Sequence, residues 1–220
     1  MCGRFVRTSP ADVIRAEFGV TATAEVDLAP RYNICPGEPV AAIVGRASER
    51  RLGPLVWGLG PRAQVNVRTE TVGTRSATRD AFLHRRCLVM ADGFYEWLRQ
   101  DGQKVPYFFR LASRRPFAFA GIWSRGDAGE RPQTAILTRP ADDVVAKIHD
   151  RMPVVLDPSA AGRWIDPKID ATAELERLLR EPVTALESWR VSTFVNSARN
   201  DSPECIRPAE APLRLVPLGH

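Results

Sequence analysis

Cys2 stands directly behind the initiator methionine in Met1-Cys2-Gly3-Arg4-Phe5, so removal of Met1 would leave a free α-amine and a thiol on one residue. An α-amine titrates near ~7.7–8.0 and a thiol near ~8.5, so both are expected to be partly nucleophilic at neutral pH without tuning. Such a 1,2-aminothiol takes an aldehyde in two steps. The amine forms a Schiff base, and the thiol adds to the imine carbon and closes a five-membered thiazolidine. No internal cysteine offers this pair, and the chemistry points to an aldehyde. A small second residue of no chemical consequence is the commoner origin of a cysteine at this position.

Two further segments carry groups that move protons. In Asp92-Gly93-Phe94-Tyr95-Glu96-Trp97, period-2 alternation puts Glu96 on the face of Phe94 and Leu98. Apolar neighbours raise a carboxyl pKa by desolvation, which suits a proton shuttle near neutral pH. A strand-end glutamate paired with an arginine fits the same segment. In Ile148-His149-Asp150-Arg151-Met152-Pro153, His149 falls at an expected helix C-terminus, where the dipole favours imidazolium. A surface histidine capping a helix is the commoner source of that pattern. The polar segments Asn66-Val67-Arg68-Thr69-Glu70-Thr71 and Val195-Asn196-Ser197-Ala198-Arg199-Asn200 are of a kind that presents amide and guanidinium donors to phosphates, and ordinary turns read almost the same way.

A strand-rich scaffold must hold these groups. Apolar, partly alternating runs at 40–44, 55–59, 88–97, 107–111, 117–123 and 134–137 predict strands, with a last run at 189–195. Ser9, Pro10 and Asp12 predict an N-cap, a first-turn proline and a capping partner for a helix that Gly19 stops. Pro140, Asp142 and Asp143 predict a helix ending near His149, and further helices are expected over 158–165 and 171–179. Helices at the start and late in the chain, rather than alternating with strands, predict an α+β fold in a single domain of 220 residues. The proline-rich tail from 203 onward is expected to be irregular.

Composition narrows the partners. Hydrophobic residues make up 44% and charged residues 26%, and no apolar run approaches the ~18 residues of a membrane span. The N-terminus lacks a basic region followed by an apolar stretch, so a cytoplasmic protein with no membrane partner is expected. Cys2, Cys35, Cys87 and Cys205 lie far apart and only three histidines accompany them, which supports neither disulfides nor zinc; no metal and no cofactor are expected. The net charge is +5, and all but Lys104, Lys147 and Lys168 of the 31 basic residues are arginine. Arginine forks match phosphate oxygens, although a genome that favours arginine codons gives the same count.

Taken in order, Met1-Cys2-Gly3-Arg4-Phe5, Arg31-Tyr32-Asn33 with Pro36-Gly37, Trp57-Gly58-Leu59, Asn66-x-Arg68, Asp92-Gly93-Phe94-Tyr95-Glu96-Trp97 and His149-Asp150-Arg151-Met152-Pro153 resemble the SRAP family. These are the SOS-response-associated peptidase, or abasic-site processing, proteins. The resemblance runs from residue 2 to about residue 206. It implies an α+β domain whose strands form a partly open, barrel-like sheet with flanking helices, and a basic groove for single-stranded DNA containing abasic sites.

By the same resemblance Met1 is removed and Cys2 crosslinks to the ring-opened sugar, whose C1′ is an aldehyde. Glu96 is the acid/base, His149 donates to the ring oxygen and Asn66 orients Cys2. The positions expected at the DNA are Arg4, Asn33, Pro36, Arg68, Trp97 and Arg151, in a monomer that associates with the nucleoid when bound. Self-cleavage of Met1 and a weak lyase activity are secondary expectations. One departure is that Gly60-Pro61-Arg62-Ala63-Gln64 replaces a longer loop that usually carries a second tryptophan. Two other readings compete: an N-terminal nucleophile amidohydrolase, and a non-catalytic module that binds single-stranded nucleic acid.

Overall fold

The computed structural model describes residues 2–46, 49–126, 131–169, 172–181 and 186–209. The first half forms β1 (Phe5–Arg7), α1 (Ala11–Phe18), β2 (Ala22–Thr23), β3 (Arg31–Ile34), β4 (Pro39–Arg46), β5 (Glu49–Trp57), β6 (Asn66–Arg68), α2 (Thr69–Val72) and α3 (Ser76–His84). The second half supplies β7 (Arg86–Ala91), β8 (Gly93–Gln100), β9 (Gln103–Leu111), β10 (Phe117–Ser124), β11 (Gln133–Pro140) and α4 (Asp143–Ala146). It ends with β12 (Arg151–Pro153), β13 (Val155–Leu156), α5 (Pro158–Trp164), α6 (Thr172–Arg180) and β14 (Leu186–Arg190).

The strands make two sheets, ordered β14-β9-β8-β1-β3 and β12-β11-β10-β7-β4-β5-β2. In the larger one β11 also meets β5 in parallel, with Gln133 opposite Val56 and Thr134 opposite Trp57. That pairing bends the sheet into a ring without closing a barrel. The fold is α+β, as the resemblance implied.

Alternation along the central strands sorts their side chains into two cores. Ala41 and Ile43 of β4, Leu88 and Met90 of β7, and Ala118 and Ala120 of β10 face one way, against Ile14, Phe18, Phe82, Trp164 and Leu178 of the helices. The residues between them, Val40, Ala42, Cys87, Val89, Phe117 and Phe119, face an inner core that holds Cys2, Phe5, Trp57 and Phe94. Strands buried on both faces read as continuous apolar runs, which is why they are plain in the sequence. Phe5 anchors the N-terminus edge-on to Trp57 at 5.2 Å and to Phe119 at 5.5 Å between ring centroids. Full burial of such a side chain contributes about 1.5–3 kcal/mol.

Several expectations need correcting. The run at 88–97 is two strands in different sheets, and Asp92 makes the corner. Its carboxylate accepts from the backbone N–H of Thr8 (2.5 Å) and Ser9 (2.8 Å) and from the Ser9 hydroxyl. Ser9 is therefore committed to Asp92 and does not cap α1, which begins after Pro10 with no side-chain cap. Gly19 does end α1, in a left-handed conformation at φ 61°. The helix expected to reach His149 is the single turn α4. The run at 189–195 is strand only as far as Arg190 and continues as the 3-10 helix Thr193–Asn196.

Residues Pro203–Ile206 also form a 3-10 helix, and 210–220 lie outside the described residues, as does Ala171 of the predicted helix over 171–179. Helices α2 and α3 in mid-chain were not expected. Among the described residues no helix is long and apolar enough to cross a membrane.

Gly93 sets how closely β8 can approach its neighbours. It lies opposite Val6, and a Cβ there would stand 2.2 Å from Cζ of Phe108 and 2.8 Å from the carbonyl oxygen of Phe109. Only glycine fits where the β1–β8–β9 layer is this tight.

Candidate active site

The pairing of β1 with β8 brings the chain start to the catalytic candidates. Phe5 lies opposite Phe94, Val6 opposite Gly93, and the Tyr95 N–H donates to the Arg4 carbonyl at 3.1 Å. Continued one step, that register carries Gly3 to Glu96. Both line a cleft of about 380 Å³ together with Arg4, Trp97, His149 and Asn196. Cys2 sits just inside, fully buried against the inner core. From β6, the Asn66 side-chain N–H donates to the Cys2 carbonyl at 2.7 Å, while the Asn66 amide oxygen is buried without a hydrogen-bond partner.

Glu96 is only 1% exposed, and burial raises its carboxyl from the ordinary 4.5 to about 7. A group that titrates there can both give and take a proton at neutral pH. His149 departs from expectation, because burial lowers its pKa instead of a helix dipole raising it. The single turn of α4 ends three residues before His149 and offers little dipole. His149 Nδ1 lies 2.9 Å from the Arg151 backbone nitrogen and 3.2 Å from the Arg151 carbonyl oxygen, so it accepts from the N–H when unprotonated and donates to the carbonyl when it carries a proton. The exposed Asp150 carboxylate, 3.0 Å from Nδ1, becomes the partner if the ring is charged.

The thiols also depart from expectation. Burial, and after it the charge of Glu96, holds the Cys2 thiol well above its usual range. Burial pushes Cys87 up to about 12 and raises Cys35 and Cys205 as well. Sulfur nucleophilicity therefore does not single out Cys2 among the four. What only position 2 can gain is an α-amine, an amide for as long as Met1 precedes it.

The residues expected at the DNA divide into two groups. Arg4 lines the cleft, and its guanidinium donates to the Asn33 side-chain oxygen (2.9 Å) and the Val195 carbonyl (3.1 Å). Trp97 also lines the cleft, and its indole N–H donates to the Asn196 side chain at 2.7 Å. Arg68 is exposed, two residues along from Asn66 and so on the same side of β6. Pro36 is exposed in the turn before Gly37, whose φ of 87° suits glycine at the third position of a type II turn.

The other two are turned inward. Asn33 is buried, with its amide donating to the carbonyls of Val195, Ser197 and Asn200, so it braces Arg4 and the 195–200 segment. Arg151 is buried as well. Its guanidinium binds both carboxylate oxygens of Glu70 and the Thr138 carbonyl (2.6 Å), and Glu70 is thereby held down to about 2.

Sequence reasoning did not place Arg99 and Lys104 in the cleft lining. The signal was present in Asp101-Gly102, a hairpin turn with both residues at positive φ that joins β8 to β9. In the 60–64 segment the Ala63 N–H donates to the Gly60 carbonyl, and Leu59 and Gln64 pair across it, each bond 2.9 Å.

A family model for SOS response associated peptidase (SRAP) matches residues 1–198. The abasic site processing protein YoqW of Bacillus subtilis is 35% identical over 222 residues, covering 94% of this chain and 99% of its own. The abasic site processing protein YedK of Escherichia coli is 32% identical, covering 94% of this chain and all of its own. Among solved structures, a protein from Bacteroides thetaiotaomicron superimposes with a TM-score of 0.81 at 21% identity, over 95% of this chain and all of that one. A phage-related protein of Bordetella bronchiseptica does so at 0.72 and 29% identity, over 86% and 94%. With one family model spanning most of its length and relatives above 30% identity covering nearly all of it, the chain belongs to the SOS response associated peptidase (SRAP) family.

Proposed function

We propose that this protein captures abasic sites in single-stranded DNA by forming a thiazolidine between Cys2 and the ring-opened deoxyribose, once Met1 has been removed. The observation that carries this reading is a buried carboxyl, Glu96, titrating near 7 beside the N-terminal residue in a cleft lined by arginine. Relatives that are named abasic site processing proteins support it.

The steps follow from the groups present. As the C1′–O4′ bond breaks, the anomeric hydroxyl gives its proton to the Glu96 carboxylate and the sugar ring oxygen takes one from the protonated form of His149, whose charge the Asp150 carboxylate balances, which exposes the C1′ aldehyde. The Cys2 amine adds to that carbon, and loss of one water, with Glu96 supplying a proton to the departing hydroxyl, leaves the imine. The Cys2 sulfur then bonds to the imine carbon while its proton passes to the nitrogen, which closes the ring without an oxidant or reductant.

Glu96 also explains why the amine acts first. A carboxylate here disfavours a thiolate but favours a positively charged nitrogen, so it stabilises the iminium and not free sulfur anion. Asn66 holds the Cys2 carbonyl and leaves an amide oxygen available to the sugar. Arg4 and Arg68 serve the flanking phosphates, Pro36 and Trp97 line the path, and Asn33 and Arg151 act from inside the protein. The imine stage also permits β-elimination, so weak strand cleavage at the lesion accompanies capture.

The test is a denaturing gel of protein lacking Met1 with single-stranded DNA carrying one abasic site. A heat-stable shifted band is expected, absent for Cys2→Ala and for protein with a tag before Cys2. A band that persists in either control sinks the proposal.

A further inference from the structure

Arg99 and Lys104 line the same cleft as Glu96 and His149, and nothing in the chemistry above uses them. They face each other directly across the β8–β9 ladder, and both are exposed. Like charges in direct register on adjacent strands are destabilising. Among the described residues neither has a carboxylate partner, in a chain where Arg31, Arg110, Arg115, Arg139, Arg151 and Arg163 each have one. The contrast is sharpest at the next ladder of the same sheet. There Arg110 of β9 faces Glu187 of β14 in register and is paired with it. The hairpin therefore keeps an unfavourable pair at the cleft and a satisfied one away from it.

The register explains how the pair reaches the cleft. β1 covers the edge of β8 only as far as Tyr95. Beyond that point β8 runs on to Gln100 with β9 on one side alone. Arg99 lies three residues past Glu96, about 10 Å along the strand, which is too far to touch atoms reacting at Cys2 and suited to a group outside the lesion. Two adjacent cations, one a guanidinium fork and one an ammonium, match a single phosphate oxyanion.

We infer that Arg99 and Lys104 form a clamp for one backbone phosphate of the bound strand, extending the nucleic-acid path from Cys2 along the free edge of β8 to the hairpin. This clamp rests on the single-stranded DNA reading above and adds a defined direction to it.

The test uses the full chain and an intact single-stranded oligonucleotide with no abasic site, so binding is read without the crosslinking chemistry. Affinity is measured across a salt series for the wild type, for the double variant Arg99→Gln/Lys104→Gln, and for Lys104→Glu. Losing one phosphate contact should lower the slope of log affinity against log salt by about 0.7 in the double variant, with affinity at low salt reduced severalfold. Lys104→Glu should weaken binding at least as much while raising the unfolding temperature, because Arg99 gains a cross-strand partner. Binding and stability then move in opposite directions, which misfolding cannot produce. An unchanged salt slope in both variants, on a wild type that crosslinks abasic DNA, overturns the clamp alone. A wild type that binds intact strands with the steeper slope but crosslinks nothing keeps the clamp and overturns the thiazolidine reading.

Discussion

Glu96→Gln tests the electrostatics of the site through folding alone. Folding raises this carboxyl from 4.5 to about 7, so between those pH values the folded chain keeps a proton that the unfolded chain has released. Stability from this group is complete below the unfolded value and is lost as pH rises through 7. At about 1.4 kcal/mol per pH unit the loss comes to about 3 kcal/mol by pH ~8. Glutamine has the shape of the protonated acid and never ionises. The variant should therefore match the wild type near pH ~4.5 and exceed it by about 3 kcal/mol near pH ~8. Urea unfolding of both chains across that range reads the difference directly. A gap that does not change with pH, or a glutamine variant that is less stable at the alkaline end, would refute the claim that a desolvated carboxyl sits beside the N-terminal residue.

Two other substitutions probe the scaffold. Gly93→Ala forces a methyl group into Phe108 and the Phe109 carbonyl, and should cost about 1–3 kcal/mol in the urea midpoint by overpacking. Glu70→Gln removes the partner of Arg151. Because Glu70 is held down to about 2, its contribution is present above its ordinary value and lost as pH falls toward 2. Its side chain is 47% exposed, so solvent screening limits the effect to about 1 kcal/mol, seen in unfolding near neutral pH and absent in strong acid.

The sequence made the candidate site legible where its signals are local. Cys2 is marked by its position alone, and Glu96 by alternation beside Phe94. The central strands show as apolar runs because both faces are buried. What stayed hidden depends on partners remote in the chain. The apolar run at 88–97 gives no sign that Asp92 would turn it into a second sheet by binding Thr8 and Ser9, 84 and 83 residues away. Helix α3 buries only Thr78, Ala81 and Phe82, too few apolar residues to show a helical period. His149 shifted opposite to expectation and the Cys2 thiol left its ordinary value because burial, a tertiary quantity, outweighed the local helix end and the intrinsic pKa. Asn33 and Arg151 carry donors suited to phosphate, and only the fold shows that those donors are turned toward the protein itself.

Intact mass of the Met1-free protein after mixing with a single-stranded oligonucleotide bearing one abasic site tests the central claim most directly. A thiazolidine predicts the sum of the two masses less one water, unchanged by borohydride, because no C=N bond remains to reduce. A product that gains two hydrogens on borohydride treatment would be an imine whose sulfur never closed. That result, or no covalent product from protein with a free Cys2 amine, would contradict the account.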